Sequence, residues 1–302
     1  MTIPGGDVAQ LVRACGSYPQ CRRFDSYRRH HQSPSLFEEI DPAGVNSDEM
    51  NTNFPVTRRT LLLVEDWFVS IAQPFLPLKR VRAKGGQPGD FYWDFAEHSA
   101  KTAMIGKAVR IISGLRGTMI LADLGHVTES AALLRTIDDF IAEVDFLIDG
   151  LGSKKPSKHY DEFVRQYFAA MPASADEYAT QPRQRWVARD KVMEGFVRST
   201  QEITKDSDGV RKSLKFVSHT YDGYVHGGYL TAMELYSGAT NRFMLGGHEG
   251  HFEREFANKM VASRLLHALS SFANVASLLG NNDAMRNFRS GGIELTDSGE
   301  LP

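Results

Sequence analysis

Apolar side chains recur at intervals of three and four residues along most of this 302-residue chain. The clearest run lies in ESAALLRTIDDFIAEVDFLIDG, where Leu134, Ile137, Ile141, Val144 and Ile148 step by 3, 4, 3 and 4 residues. This period places the five side chains on one face of an α-helix, whereas a strand requires a period of two. Because such stripes are buried by packing helix against helix, we predict an all-α fold.

Several other segments carry the same pattern and end at glycine or proline. With the run above, the expected helices span about residues 57–73, 94–124, 128–150, 158–170, 182–200, 210–226 and 251–279. The second should be capped by Asp90 or Asp94, and it should form an antiparallel hairpin with the third around Gly125. We therefore predict a helical bundle of about six to seven helices over residues 50–280 and a flexible, Gly-rich C-terminal tail over residues 281–302.

Residues 1–49 lack the helical pattern, and we predict that they are disordered. Residues 8–14 (VAQLVRA) and 23–26 (RFDS) can be encoded by sequences that resemble the D-arm and the T-arm of a bacterial transfer RNA gene. On this resemblance the segment is an over-extended reading frame, and the native start is expected at Met50. The alternative is a genuine arginine-rich arm that binds nucleic acid.

The two cysteines, Cys15 and Cys21, both lie in that first segment. The rest of the chain therefore offers no disulfide, no thiolate zinc site and no cysteine nucleophile. The net charge is -2, and no apolar run approaches the roughly 18 residues that a membrane span needs. We predict a cytoplasmic protein with no membrane association, no cofactor and no bound metal.

The segment RKSLKFVSHTYDGYVHGGY combines basic, acidic and imidazole side chains at helical spacing. On a helix, one face would carry Lys212, Lys215, His219, Asp222 and His226. One histidine, oriented by Asp222, can act as a general base while the lysines hold a phosphate, or the two imidazoles and the carboxylate can bind a metal. The alternative is a solvent-exposed polar face whose last histidine meets the helix dipole before a glycine cap.

On the first of these interpretations the candidate catalytic residues are His226, His219 and Asp222, with Asp222 orienting an imidazole. The candidate substrate-binding residues are Arg135, Lys215 and Tyr224. The acidic run around Asp138 lacks the Glu-x-x-His partner of a di-metal site, and Asp139 and Glu143 are expected to be solvent-exposed and partly paired with Arg135.

Two other motifs contain histidines or a cluster of cations. HEGH at residues 248–251 misses the metalloprotease HExxH spacing by one residue, so we expect a glycine-rich loop that leads into the last helix. The basic stretch KRVRAKGG at residues 79–86 is expected to be a loop, either solvated or in contact with phosphates.

ESAALLRTIDDFIAEVDFLIDG and, later, SHTYDGYVHGG resemble segments of uncharacterised bacterial all-helical proteins over about residues 97–228. Such proteins are distantly similar to HEPN-like helical domains, some of which are RNA-cleaving toxins or phage-defence effectors with an arginine four to six residues before a histidine. Arg242 and His248 have that spacing, although Gly246 and Gly247 interrupt a helix there. The resemblance implies a defence or mobile-element protein that acts on RNA or a nucleotide. The alternative is a non-enzymatic helical module that binds another protein, or itself as a homo-oligomer, through apolar helix faces.

Overall fold

The structure is a computed structural model that describes residues 54–82, 91–153, 156–169, 187–204, 206–248 and 250–302. The predictions for residues 1–49, the expected start at Met50 and the predicted cap Asp90 lie outside the described residues. Within these ranges, no helix has an apolar stretch long enough to cross a bilayer.

The described part of the chain is all-α, as predicted, and contains nine α-helices rather than six or seven. They are α1 Pro55–Ala72, α2 Ala100–Asp123, α3 Val127–Gly152, α4 Tyr160–Tyr167, α5 Arg189–Thr204, α6 Ser207–Val225, α7 Tyr229–Met233, α8 His251–Leu278 and α9 Asn282–Asp297. Two short antiparallel hairpins accompany them, β1 Lys79–Arg82 with β2 Phe91–Asp94, and β3 Tyr236–Ser237 with β4 Arg242–Phe243. The helices beyond the predicted seven are α7 and α9.

Helices α2 and α3 form the predicted hairpin at the centre of the bundle. Leu134, Ile137, Ile141 and Val144 of α3 are almost fully removed from water, and Ile148 is half-buried. Gly125 turns the chain between the helices with a φ of 80°, a left-handed conformation that glycine adopts at little steric cost. The apolar stripes of α1, α2, α3, α8 and α9 meet in one core.

Helix α2 begins later than predicted because its cap is Ser99 and not an aspartate. The Thr102 amide donates to Ser99 Oγ at 3.4 Å, and the Ser99 amide donates to Thr102 Oγ1 at 3.0 Å. This reciprocal pair is a capping box in which threonine replaces the usual glutamate. Asp94, one of the predicted caps, ends strand β2 instead.

The prediction of a flexible C-terminal tail is wrong, because most of residues 281–302 form helix α9. Phe288 and Leu295 are buried, and the Phe288 ring lies 5.6 Å from the rings of both Trp67 and Phe272. The buried positions of α9 are spaced at helical intervals, but two of them are the small residues Ala284 and Gly291. Because only two of the buried side chains are large, the hydrophobic pattern that would predict a helix is weak in this segment, although the helix packs against α1.

The C-terminus also completes the start of helix α1. Glu300 accepts hydrogen bonds from the Val56 amide at 2.9 Å, the Thr57 amide at 2.8 Å and the Thr57 hydroxyl at 2.6 Å. The residue in the N-cap position, Phe54, makes no side-chain cap bond. A carboxylate from 243 residues away therefore satisfies amides that the helix itself leaves unpaired.

We expect Glu300→Ala to lower the free energy of unfolding by about 1–2 kcal/mol, because two helix amides and a hydroxyl lose their acceptor. Urea denaturation of the full chain measures this decrease. The matched control is Asp66→Ala, since Asp66 is an exposed acid on the same helix, and its effect should stay within about 0.5 kcal/mol. Equal stability of Glu300→Ala and the wild type would contradict the capping role.

Candidate functional site

Helix α6 presents the predicted polar face to solvent. Lys212, Lys215, His219 and His226 are all exposed, and Asp222 is partly exposed. Within the described residues, the side chains of His219 and His226 have no hydrogen-bond or ion-pair partner. His226 is the C-cap of α6 and is followed by Gly227, whose φ is 61°. The two histidines and the aspartate are thus placed along one face, but neither imidazole is paired with Asp222.

Asp222 is paired with Arg135 of helix α3. Arg135 Nε donates to Asp222 Oδ1 at 2.8 Å, and the same guanidinium forms an ion pair with Asp139 one helical turn along α3. Burial opposes the charge on Arg135, but the hydrogen bonds and attraction of the two carboxylates outweigh burial and raise the pKa of the guanidinium. Two of the predicted site residues, Arg135 and Asp222, are therefore in contact and form an ion pair with each other.

The pair extends into a network that joins three helices. Arg189 of α5 donates from Nε to Asp139 Oδ1 at 2.6 Å, and its Nη1 donates to the Ser218 hydroxyl of α6. Asp139 is therefore shared between Arg135 and Arg189. The predicted contact between Asp139 and Arg135 is present, while Arg189 lies 50 residues away and has no local sequence signal.

Helix α8 adds a second, more deeply buried group of polar side chains. Arg264 donates to both oxygens of Asp138, at 2.7 and 3.2 Å, and its guanidinium lies 5.2 Å from the centre of the Tyr221 ring. Asp145 accepts from the Ser271 hydroxyl at 2.6 Å, and His267 lies 3.4 Å from the same carboxylate. These two carboxylates face α8 and not solvent.

Glu143 differs from its predicted exposure. Its carboxylate lies 2.5 Å from the ammonium group of Lys107 on α2 and is mostly buried. Burial raises the pKa of Glu143, and the positive charge of Lys107 partly opposes that rise. A helical wheel drawn for α3 alone misses this contact, because it does not show that Lys107 of the neighbouring helix α2 reaches Glu143.

The space between α3, α5, α6 and α8 is small. A cavity of about 50 Å³ is lined by Asp138, Arg189, Arg264 and His267 among others. That volume holds about three water molecules, far less than a nucleotide. A second depression of about 130 Å³ includes Lys215 and Arg211. Both are smaller than the roughly 300–1,000 Å³ of most small-molecule sites, so any substrate of this face would bind on its open surface.

Tyr224 points toward the segment that follows α6. Its hydroxyl donates to both oxygens of Glu234, at 3.2 and 3.0 Å. Burial raises the pKa of Glu234, and the bond from Tyr224 acts in the opposite direction. Tyr224 therefore helps to fix the connection between α6 and α8.

Arg242 and His248, which have the HEPN-like spacing, occupy that connection and not a helix. Arg242 is exposed on strand β4. The His248 amide donates to the Gly125 carbonyl at 2.8 Å, so His248 is joined to the turn between α2 and α3. The HEGH segment leads into α8 as predicted, with Gly250 as the N-cap. In the described parts of the chain, no three His, Cys, Asp or Glu side chains are grouped to hold a metal ion.

In the connection between α6 and α8, several large apolar side chains are highly exposed to solvent. We call residues 225–252 the connecting arm; the structure describes all of it except residue 249. Four of its side chains are the most exposed large apolar groups in the described residues: Tyr229 at 74%, Leu230 at 77%, Leu245 at 79% and Phe252 at 75%. The sequence does not predict this surface, because the arm lacks a helical or strand period.

Comparison with known proteins identifies no relative: no protein family model, no curated protein and no solved structure matches this chain.

We predict that Arg135 and Asp222 are energetically coupled. In a double-mutant cycle of Arg135→Gln and Asp222→Asn, the two decreases in unfolding free energy should differ from additivity by about 0.5–3 kcal/mol, because the groups share a hydrogen bond. Urea denaturation measures each corner of the cycle.

The control cycle combines Arg135→Gln with Lys215→Gln. Lys215 has no ion pair or hydrogen bond within the described residues, so these two changes should add to within about 0.5 kcal/mol. Additivity in the first cycle as well would show that the hydrogen bond between Arg135 and Asp222 is not formed in solution.

Proposed function

We propose that this protein is a helical interaction module that binds a second copy of itself through the connecting arm. The observation that carries the proposal is the exposure of Tyr229, Leu230, Leu245 and Phe252 on one short segment. Large apolar groups that form a contiguous patch on a folded protein mark sites of association, and the proposal is that these four side chains form such a patch.

The arm is held in place at both ends. The Thr231 hydroxyl donates to the Gly223 carbonyl at 3.0 Å, and the His248 amide donates to Gly125 at 2.8 Å. Gly247 has a φ of 99°, and a Cβ there would lie 2.4 Å from the Leu124 carbonyl oxygen. The exposed side chains are therefore displayed on an anchored segment, which reduces the entropic cost of binding.

The charge of the arm suits contact with an identical surface. Only three of its 28 residues are Asp, Glu, Lys or Arg, namely Glu234, Arg242 and Glu249. Charged residues are depleted at the centres of protein interfaces, and a two-fold symmetric contact places the same patch on both partners. Two copies of this arm meet with little like-charge repulsion, so the surface is compatible with self-association.

We expect the double variant Leu230→Asp, Leu245→Asp to be monomeric where the wild-type chain is dimeric, because two carboxylates would be buried without partners in the interface. Sedimentation velocity over a concentration series measures the difference. Because dimerisation itself stabilises the folded state, thermal denaturation is compared at a concentration below the Kd of the dimer. There the midpoint should be unchanged, since both leucines are exposed in the single chain.

The control for this test is Leu62→Asp, Val69→Asp on helix α1, where the side chains are 59% and 57% exposed. This variant should still dimerise. A wild-type chain that stays monomeric at every concentration would contradict self-association.

A second candidate function is the HEPN-like one, action on RNA or a nucleotide by helix α6. It is favoured by the exposed row of Lys212, Lys215, His219 and His226, which has no carboxylate partner within the described residues. Unpaired cations along one face can contact successive phosphates, and exposed imidazoles can exchange protons with a bound substrate. Asp222 does not orient a histidine in this arrangement, since it is bound to Arg135.

If α6 acts on RNA, the full chain should cleave a single-stranded RNA and His226→Ala should abolish the cleavage. The control is His126→Ala, a histidine in the turn before α3, which should leave cleavage intact. Lys212→Glu with Lys215→Glu should weaken RNA binding and reduce the salt dependence by roughly 0.7 for each phosphate that is no longer neutralised. Absence of cleavage, or equal cleavage by His226→Ala, would end the enzymatic hypothesis for this face.

A further inference from the structure

The hairpin of β1 and β2 exposes two large aromatic rings. Trp93 is 59% exposed and Tyr92 is 48% exposed, both on strand β2. The register places Arg80 opposite Trp93 and Val81 opposite Tyr92. Successive side chains of a strand point to opposite faces, so Trp93 lies on one face of the ribbon with Arg80, and Tyr92 lies on the other face with Val81. Aromatic side chains bury more apolar surface than most others when they are covered, so each face presents one exposed ring to a partner.

The same hairpin is rich in positive charge. Its strands read KRVR and FYWD, so three of the eight residues are Lys or Arg and one is acidic. Lys79 and Arg80 are exposed. The acid, Asp94, accepts from His98 Nε2 at 2.8 Å and from the Phe95 amide at 2.9 Å. The strands therefore carry excess positive charge, although the whole chain has a net charge of -2.

The base of the hairpin is fixed to the bundle. The His98 ring, bound to Asp94, stacks on Phe168 with ring centres 4.3 Å apart and planes 5° from parallel. Lys79 Nζ also donates to the Ala96 carbonyl at 3.4 Å. Rings and cations are thus displayed on a short ribbon whose position is set before any partner binds.

We propose that the β1–β2 hairpin binds single-stranded nucleic acid, with one base stacking on Trp93 and another on Tyr92 on the opposite face of the ribbon, and with Arg80 and Lys79, one on each face, contacting phosphates. Every base has a π-face that an exposed aromatic ring can cover, and the backbone carries the charge that the strands complement. The combination of exposed rings and cations favours this partner over an apolar protein surface. The inference does not depend on self-association through the arm, and its residues lie outside helix α6.

The test is fluorescence anisotropy of a labelled oligouridylate titrated with the full chain. Trp93→Ala should weaken binding by about fivefold or more, because one base loses its stacking partner. Arg80→Glu should weaken binding and lower the salt dependence by about 0.7, since one fewer phosphate is neutralised. Trp93→Tyr should retain most of the affinity, since a ring remains. The control is Leu62→Ala, which removes a 59% exposed apolar side chain from helix α1 and should not change binding.

Because Trp93 is exposed, Trp93→Ala should keep the thermal midpoint of the wild type; Tyr92→Ala provides a second, independent ring deletion. The proposal is overturned if the wild-type chain does not bind the oligonucleotide, or if both ring deletions bind as tightly as the wild type. It is also overturned if the ring deletions reduce co-sedimentation with phosphatidylserine vesicles and leave oligouridylate binding intact, since the hairpin would then recognise a lipid surface. Weaker binding in the α6 variants alone, with both ring deletions unchanged, would overturn the hairpin assignment in favour of the α6 face.

Discussion

The neutralisation of the carboxylates of helix α3 is the constraint on which the bundle depends. One face of α3 is apolar, and its middle and end carry acidic side chains that contact polar or basic side chains of α2, α5 and α8. Asp138 pairs with Arg264 of α8 and Asp139 with Arg189 of α5. The remaining contacts are Glu143 with Lys107, Asp145 with Ser271, and Asp149 with Arg198. Helix α3 therefore binds α2, α5 and α8 through charge as well as through the core.

These ion pairs mainly determine which arrangement of the helices is favoured, because a misplaced helix would leave charges without their partners. Desolvation offsets much of the attraction within a buried ion pair, so the pairs need not add net stability. For the most buried pair, Asp138 with Arg264, removal of one partner leaves the other charge uncompensated, at a penalty of about 3–5 kcal/mol. A register shift of α5 or α8 against α3 would separate several pairs at once. The network thus favours a single arrangement of helices that apolar packing alone would specify less sharply.

The same network explains which parts of the molecule follow from sequence alone. The stripe of Leu134, Ile137, Ile141 and Val144 is a local pattern, and the predicted hairpin of α2 and α3 is confirmed. The partners Asp138 and Arg264 are 126 residues apart, and Arg135 and Asp222 are 87 apart, so no local period relates them.

Helix α9 was not predicted for a related reason. Half of its buried positions are small residues, and its position is determined by contacts with Trp67 and Phe272 of other helices. Helix α6 presents the predicted polar face and Arg135 reaches it, but Asp222, the carboxylate that could orient a histidine, is bound to that arginine. The catalytic and binding roles of these residues stay predictions.

The ion pairs of α3 are buried or half-buried, whereas the connections between helices are exposed, and this difference indicates where a partner can bind. Side chains that hold the helices together, such as Arg135 and Arg264, are paired with carboxylates and are therefore poorly placed to exchange partners with a ligand. Exposed aromatic and apolar side chains lie on two connections, namely the arm between α6 and α8 and the β1–β2 hairpin, where contacts at Gly125 and Asp94 fix the position of the backbone. Binding residues are commonly carried by connections on a rigid scaffold, because a connection can change its side chains without disturbing the core.

Substitution of an exposed ring or leucine in such a connection removes few native interactions. A variant that no longer associates but keeps the unfolding transition of the wild type would therefore separate a binding role from a folding role, whereas no variant of the α3 network can make that distinction.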